Sequence, residues 1–388
     1  GCSARAEWDA ASRVLTTKVR QAEVSARDAN ARYLREQAER RRLYNKLQEA
    51  KGNIRVFCRV RPLLAKEAAA GEVPVISATS NYEVAVLEAA SERAGGRLME
   101  SKSFEFDHVF GADSKQIDLF DEVQPLVTSA LDGFHACIFA YGQTGSGKTF
   151  TMEGNAAARG IYYRTLDSLF DQIEERAGDY AYSLRVSMVE IYNENVMDLL
   201  AEAPLPGMGG GDEEGSAGGM EIKTGPNGNH IPDATILDVT SASQIESIMA
   251  RGALNRSVGR TNANEHSSRS HSLLMIDLYG TSLVNDSKTY GRLVLVDLAG
   301  SERVSKSGAE GVRLKEAQNI NKSLSALGDV IQALSTKAPY VPFRNSKYVA
   351  CRLGNGVRTL HDAHRACHLV SVRVRVCVCA CVRVCVCV

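Results

Sequence analysis

Apolar positions fall into three kinds of spacing along this chain. In the first 51 residues they follow a heptad frame: Trp8, Ser12, Leu15, Val19, Ala22, Ala26, Ala29, Tyr33, Glu36, Arg40, Leu43, Leu47 and Ala50. Ten of these thirteen sites are apolar or aromatic, the departures being Ser12, Glu36 and Arg40, so residues 1–51 predict the Ala-rich end of a coiled coil. A single solvated helix is the alternative reading of so polar a stretch. Gly52-Asn53 suits a left-handed C-cap and predicts the stop.

From residue 54 short apolar runs alternate with helical spacings. Ile54 to Arg61 predicts a strand stopped by Pro62. Residues 73–88 alternate loosely, as a hairpin does, and Ser103 to Phe110 predicts another strand. Further strands are expected at Ala136 to Tyr141, Leu184 to Tyr192, Ser272 to Tyr279 and Arg292 to Leu298. Helical spacing marks Ile117 to Leu131, Arg164 to Arg176, Ser243 to Arg251 and the proline-free Ala309 to Leu334. Residues 201–219 are Gly-rich and acidic, the composition of a flexible surface insertion. Strands alternating with helices predict a three-layer α/β domain with a central, mostly parallel sheet. The third spacing, of period two, begins at residue 370 and runs to the end.

Composition adds limits. Hydrophobic residues are 44% and charged residues 24%, a soluble globular profile. Lys+Arg and Asp+Glu are both 46, so an acidic partner would have to be met by a local patch. No apolar run reaches the ~20 residues of a membrane span. The chain begins Gly1-Cys2-Ser3, without Met or an apolar signal region, and is expected to be a fragment. Five of the ten cysteines lie between Cys377 and Cys387; the rest are scattered, as in a reducing compartment.

The chemistry concentrates after the apolar run Ala136 to Tyr141. Gly142-Gln143-Thr144-Gly145-Ser146-Gly147-Lys148-Thr149 fits G-x-x-x-x-G-K-[ST], a phosphate-binding loop between strand and helix. Its glycines let backbone N–H groups converge on phosphate oxygens. Lys148 is expected to reach the β- and γ-phosphates, and the Thr149 hydroxyl to ligate Mg²⁺. Asn264-Glu265-His266-Ser267-Ser268-Arg269-Ser270-His271 packs hydroxyls, an amide and an arginine before a strand, suited to a γ-phosphate and Mg²⁺ or to a plain polar loop. Its two histidines at i, i+5 are poor evidence for a metal site. Asp297-Leu298-Ala299-Gly300-Ser301-Glu302 follows a buried apolar strand; an acid there holds Mg²⁺, and Gly300 lets its amide approach the γ-phosphate.

With Arg59-Val60-Arg61-Pro62, these stretches resemble the four nucleotide motifs of the kinesin motor domain, in order and at family-like spacing. Glu190-Ile191-Tyr192-Asn193-Glu194, Asn319 to Leu324 and Val341 to Lys347 resemble further family stretches. The likeness covers about residues 52–347. It implies a P-loop NTPase fold and an ATP-driven, microtubule-stimulated motor using ATP and Mg²⁺. By that likeness Arg59 and Pro62 flank the adenine and Phe150 stacks on it. Ser267 and Ser268 approach the γ-phosphate and Mg²⁺, Asp297 holds Mg²⁺ through water, and the Gly300 amide senses the γ-phosphate. Arg269 and Glu302 form the bridge that closes the two loops.

A coiled coil running into the first strand resembles the kinesins with a C-terminal motor, which usually move toward the minus end; Leu43 to Glu49 resembles their neck. The likeness implies tubulin as partner, a homodimer or heterodimer through the coiled coil, and a place in the cytoplasm on the microtubule cytoskeleton or spindle, with no nucleic acid and no membrane span. The microtubule face is expected on Ala309 to Leu334 and its flanks, with Lys306, Arg313, Lys315, Lys322 and Arg344 meeting acidic tubulin. A plain solvated face would look similar. A coiled-coil or microtubule-binding scaffold with a defective motor core is the alternative function, and a nucleic-acid-dependent P-loop ATPase a third.

The likeness stops at Lys347, and the C-terminal part of the motor core is expected to be missing. Residues 348–388 form a non-family tail in which, from residue 370, Val or Ala alternates with Ser, Arg or Cys. The pattern reads as an aggregation-prone strand, as soft-metal ligands (Cys377, Cys379, Cys381), or as a translated GT repeat. Val can be GTG, Cys TGT, Arg CGT and Ala GCG; Lys347-Tyr348-Val349 can be AAGTACGTN, which holds the splice-donor-like GTACGT. Intron read-through or a gene-model error is the favoured expectation.

Overall fold

The computed structural model describes residues 2–52, 54–89, 99–201, 219–225, 228–258, 268–302, 311–353 and 367–375. The expected insertion at 201–219 lies almost wholly outside them, as do Asn53, Asn264 to Ser267, Lys306 and the tail cysteines from Cys377 onward. The chain divides into two compact units, Gly1–Gly52 and Asn53–Val388.

The first unit is one helix, α1 (Cys2–Ala50). Its apolar heptad residues stand exposed, among them Trp8, Leu15, Val19, Leu43 and Leu47. Gly52 ends it at φ +96°, the left-handed stop that glycine takes without steric cost. Among the described residues no helix is long and apolar enough to cross a membrane.

The second unit is built on a nine-stranded sheet. Its elements in chain order are β1 (Ile54–Val60), α2 (Ala65–Ala69), β2 (Ile76–Ala78), β3 (Glu83–Ala89), β4 (Met99–Glu105), β5 (His108–Phe110), α3 (Gln116–Leu131) and β6 (His135–Tyr141). Then come α4 (Lys148–Met152), β7 (Gly154–Asn155), β8 (Ala158–Arg159), α5 (Ile161–Glu175), β9 (Tyr180–Tyr192), β10 (Asn195–Asp198), β11 (Lys223–Gly225), β12 (Gly228–His230), β13 (Leu237–Val239) and α6 (Ala242–Val258). β14 (His271–Ser282), β15 (Lys288–Asp297), α7 (Val312–Ser335), α8 (Lys347–Leu353) and β16 (Cys367–Arg375) complete it.

The strand order is β10-β9-β14-β15-β6-β16-β1-β5, with β13 on β9. Pairing is parallel from β15 through β6, β16 and β1 to β5, and antiparallel across β15, β14, β9 and β10. The sheet is therefore mixed, and parallel in the half that carries the phosphate-binding loop. The expected single strand at Ser103 to Phe110 is two, β4 and β5, in different sheets.

Alternation in the central strands separates two cores. Ala136, Ile138 and Ala140 face the layer of α3, α5 and α6, with Leu119, Leu126, Leu166 and Ile245 among the buried partners. Cys137 and Phe139 face the other layer, with Leu324, Leu327 and Val330 of α7 and Tyr348 and Val349 of α8. Strands buried on both faces are apolar on both faces, which is why these runs show no clean alternation in sequence.

Just past Lys347, Tyr348 and Val349 are fully buried in the apolar layer. Between β1 and β6 lies β16, parallel to both neighbours, with Leu369 opposite Ile54 and Cys137. An extended, β-branched-rich segment suits that slot because its backbone pairs on both sides.

Candidate functional site

The phosphate-binding loop leaves β6 and turns on two glycines. Gly145 has φ +76° and Gly147 φ +97°, conformations that L side chains rarely adopt. The helix that follows, Lys148–Met152, is only five residues long. Lys148 Nζ donates to the Gly142 and Gln143 carbonyls at 3.0 and 3.1 Å, bracing the loop from inside. Burial lowers the pKa of this ammonium, while Asp297 and Glu302 pull it back up. Ser146 is fully buried.

At the end of β15, Asp297 Oδ2 accepts from Thr149 Oγ1 at 2.7 Å. Burial raises the Asp297 pKa, opposed by the Thr149 hydrogen bond and by Arg256 and Lys148. Its second oxygen, Oδ1, is buried with no hydrogen-bond partner. A buried carboxylate oxygen left unsatisfied beside a threonine hydroxyl and a lysine is costly unless a cation or a water on a cation completes it. These residues therefore fit Mg²⁺ bound with a phosphate chain, the group that the loop motif implies.

The stretch after Asp297 is closed against the loop. Gly300 N donates to Ser268 O at 2.7 Å and Ser301 N to Gly142 O at 3.0 Å. Glu302 accepts from Thr144 N at 2.9 Å and from Thr144 Oγ1 at 2.7 Å. A Cβ at Gly300 would collide with the Thr144 hydroxyl and the Glu302 carboxylate, so any larger residue there would push the Thr144–Glu302 contact aside.

Arg269 and Glu302 do not pair here. Arg269 Nη1 donates to Glu316 Oε2 on α7 at 3.1 Å. Glu316 also accepts from the Tyr192 hydroxyl, whose pKa is pushed up to about 12 by burial and by that acid. The Tyr192–Asn195 hairpin turns on Asn193 and Glu194 at φ +50° and +61°. Glu194 then caps α8 by accepting from Ser346 Oγ at 2.7 Å and Lys347 N at 2.9 Å.

On the far side of the loop, Arg59 is buried with Cζ 5.4 Å from the Phe150 ring centroid. Arg59 Nη1 donates to Gln116 Oε1 at 2.7 Å and to Thr151 Oγ1 at 3.0 Å. Gln116 in turn donates to the Phe150 carbonyl at 2.7 Å. Phe150 and Pro62 are exposed, as surfaces for a flat ligand must be. Gln116 and Glu316 escape sequence reasoning because one precedes a helical spacing and the other is one polar residue among several within another, with no motif to mark either. Ser268 lies at the loop closure, and Ser267 is outside the described residues. On α7, Arg313, Lys315 and Lys322 are exposed, as is Arg344 beyond it, while Leu324, Leu327 and Val330 face the core.

A model of the kinesin motor domain matches residues 59–350. Kinesin-like protein KIN-14R of Oryza sativa subsp. japonica is 46% identical over 326 residues, covering 84% of this chain and 31% of that protein. KIN-14R of Arabidopsis thaliana is 45% identical over 323 residues, 82% of this chain and 28% of its own length. This chain thus spans about a third or less of these relatives. Among solved structures, the C-terminal motor and motor homology domain of Kar3Vik1 fused to a synthetic heterodimeric coiled coil superposes with a TM-score of 0.73 at 35% identity, covering 93% of this chain and 89% of that one. The motor domain of the Kar3-like kinesin from Ashbya gossypii gives 0.61 at 34% identity, covering 83% and 91%.

Proposed function

This chain belongs to the kinesin motor-domain family, and from that premise we propose that it is a microtubule-stimulated ATPase of the C-terminal-motor class, moving toward the minus end. The observation that carries the reading is Asp297, buried against Thr149 beside Lys148 with one oxygen unpartnered. A motor core that had lost its nucleotide would have no reason to keep a charged group in that position.

Bound Mg²⁺ supplies charge neutralisation of the phosphate oxygens. The chain does the rest by positioning. Lys148 turns from the loop carbonyls to the β- and γ-phosphates, and Thr149 and Asp297 hold the cation's side. Arg59, Pro62 and Phe150 bind the base. Substrate at the loop amides displaces Glu302 from Thr144. The freed Glu302 then meets Arg269, which brings the Ser268 and Gly300 segments onto the γ-phosphate. Because Arg269 leaves Glu316 in that exchange, one tie between α7 and the loops is broken as the loops close, a coupling between substrate and filament face. Exposed Arg313, Lys315, Lys322 and Arg344, together with Lys306, supply the charge that meets acidic tubulin. The exposed heptad face of α1 supplies the dimer contact. Direction follows the KIN-14 and Kar3 likeness and the order of helix before motor.

The test is steady-state ATPase with and without microtubules, followed by gliding on polarity-marked filaments. Stimulated turnover and minus-end movement are expected, with Lys148→Ala abolishing nucleotide binding. Turnover indifferent to microtubules sinks the motor reading, and plus-end gliding sinks the directional one.

A further inference from the structure

His271 opens β14 and is buried with Ala299 and Ser323. Its Nδ1 accepts from the Ala299 amide at 3.1 Å. Its Nε2 lies 2.7 Å from Ser323 Oγ on α7, and Ser323 Oγ donates to Ile320 O at 2.7 Å. The proton count closes in one way. The Ala299 amide can only donate, so Nδ1 must carry a lone pair. The ring proton is then on Nε2 and goes to Ser323 Oγ, whose own proton goes to Ile320. An imidazolium, or the other tautomer, would set two N–H groups against each other at Ala299. The ring is also held flat against Tyr348, centroids 4.6 Å apart at 26°.

We propose that His271 is a positioning residue that joins the Gly300 amide to the filament-facing helix α7 through the chain Ala299–His271–Ser323. Gly300 N, hydrogen-bonded to Ser268 O, can reach a γ-phosphate only if the peptide between Ala299 and Gly300 turns. With the Ala299 amide held by His271, that turn pivots about Ala299. The pivot is itself fastened to α7 at Ser323. A shift of α7 therefore moves the pivot, and a turn at Gly300 pulls on α7. This route is independent of the Arg269–Glu316 contact, which leaves the helix one turn or more away. It rests on the motor reading above, since α7 matters to turnover only if it meets a filament.

Two substitutions cut the chain at different bonds. Ser323→Ala removes the acceptor on α7. His271→Asn keeps an oxygen near the Nδ1 position for Ala299 and loses the Nε2 donor. Both variants are expected to lose at least about tenfold of microtubule stimulation, Ser323→Ala with basal ATPase within about threefold, and the double variant to be no worse than either single. Hydrogen exchange supplies a readout that needs no filament. A non-hydrolysable ATP analogue should change exchange over residues 312–335 in the unmutated chain, and in both variants that change should vanish while the change at 142–149 persists. Nitrogen NMR of His271 should show the neutral Nε2–H form. Failure of the unmutated chain to respond to microtubules would overturn the motor reading alone. Full stimulation of both variants, multiplicative losses in the double variant, an undiminished exchange response at 312–335, or a protonated Nδ1 would each overturn this inference.

Discussion

Arg269 is held by Glu316 on α7 at 3.1 Å, and not by Glu302, which sits on the Thr144 amide. The family likeness assigns Arg269 and Glu302 to each other, and we propose that this pair forms by an exchange of partners.

The exchange predicts the behaviour of Glu302→Ala. Removing this carboxylate frees the Thr144 amide and leaves Arg269 on Glu316. Nucleotide affinity should stay within about twofold or tighten, while stimulated turnover falls on the order of 100-fold or more. Fluorescent-nucleotide titration and steady-state ATPase measure the two quantities separately. Near-normal stimulated turnover would show that the pair does not couple the loops.

Asp297 predicts a trade between stability and chemistry. Its carboxyl is buried, and its pKa is raised in the folded chain. Above its unfolded pKa the folded state therefore holds the proton more tightly than the unfolded one, so this group lowers stability as pH rises through the window between the two values. The full cost is present above the folded value. Asp297→Asn removes it and should melt at a temperature a few degrees higher at pH 7–8, with little gain at pH 3–4. The same change should abolish Mg²⁺-dependent nucleotide binding. A lower melting temperature for the variant at pH 7.5 would refute the assignment of an uncompensated buried charge.

His135 predicts an acid-side dependence of the opposite sign. Burial, with Arg292 nearby, lowers its pKa from the usual 6.5 to about 4. The unfolded chain then binds the proton first, so the stability held above pH 6.5 is lost as pH falls toward 4. Since the side chain is partly exposed, the loss is at most about 3 kcal/mol. Denaturant melts of the chain and of His135→Gln between pH 4 and 7.5 should diverge, the variant having the flatter profile. Parallel profiles would place the acid sensitivity elsewhere.

The central slot predicts the fate of the tail. Seven residues of β16 pair with β1 and seven with β6. Ending the chain after Leu353 would leave two rows of backbone groups unpaired, each buried one costing on the order of 1–3 kcal/mol against a net stability of about 5–15 kcal/mol. That shortened chain should be insoluble. Arg373 and Arg375 lie in register with Cys58 and Val60. We propose that the native transcript departs from this one after Lys347, which sequencing across the codons of Lys347 and Val349 checks. A shortened chain that melts like residues 1–388 would show that β16 does not complete the sheet.

Much of the site was legible in the sequence because local backbone sterics write it there. Glycines at 145 and 147 are needed for positive φ, lysine and threonine follow at a set spacing, and an acid ends a buried strand. The heptad frame foretold α1, and runs apolar on both faces foretold the central strands. The strand at Ser103 to Phe110 was misread as one element because no local signal marks where pairing changes sheets.

Partner choice was decided only by the tertiary structure. Arg269 has acids at 302 and 316 within reach of the motif, and nothing in their spacing says which one α7 presents to it. His271 reads as one polar residue in a polar loop until β14 sets it between Ala299 and Ser323, 28 and 52 residues away. Gln116 acquires a role only when α3 places it 2.7 Å from Arg59. The occupant of the slot between β1 and β6 is likewise a matter of which distant backbone can pair on both edges at once. Spacing along the chain encodes the conformation of a few consecutive residues. Contacts between residues far apart in sequence depend on the order of strands, and that order is chosen by packing the whole sheet between its two layers of helices.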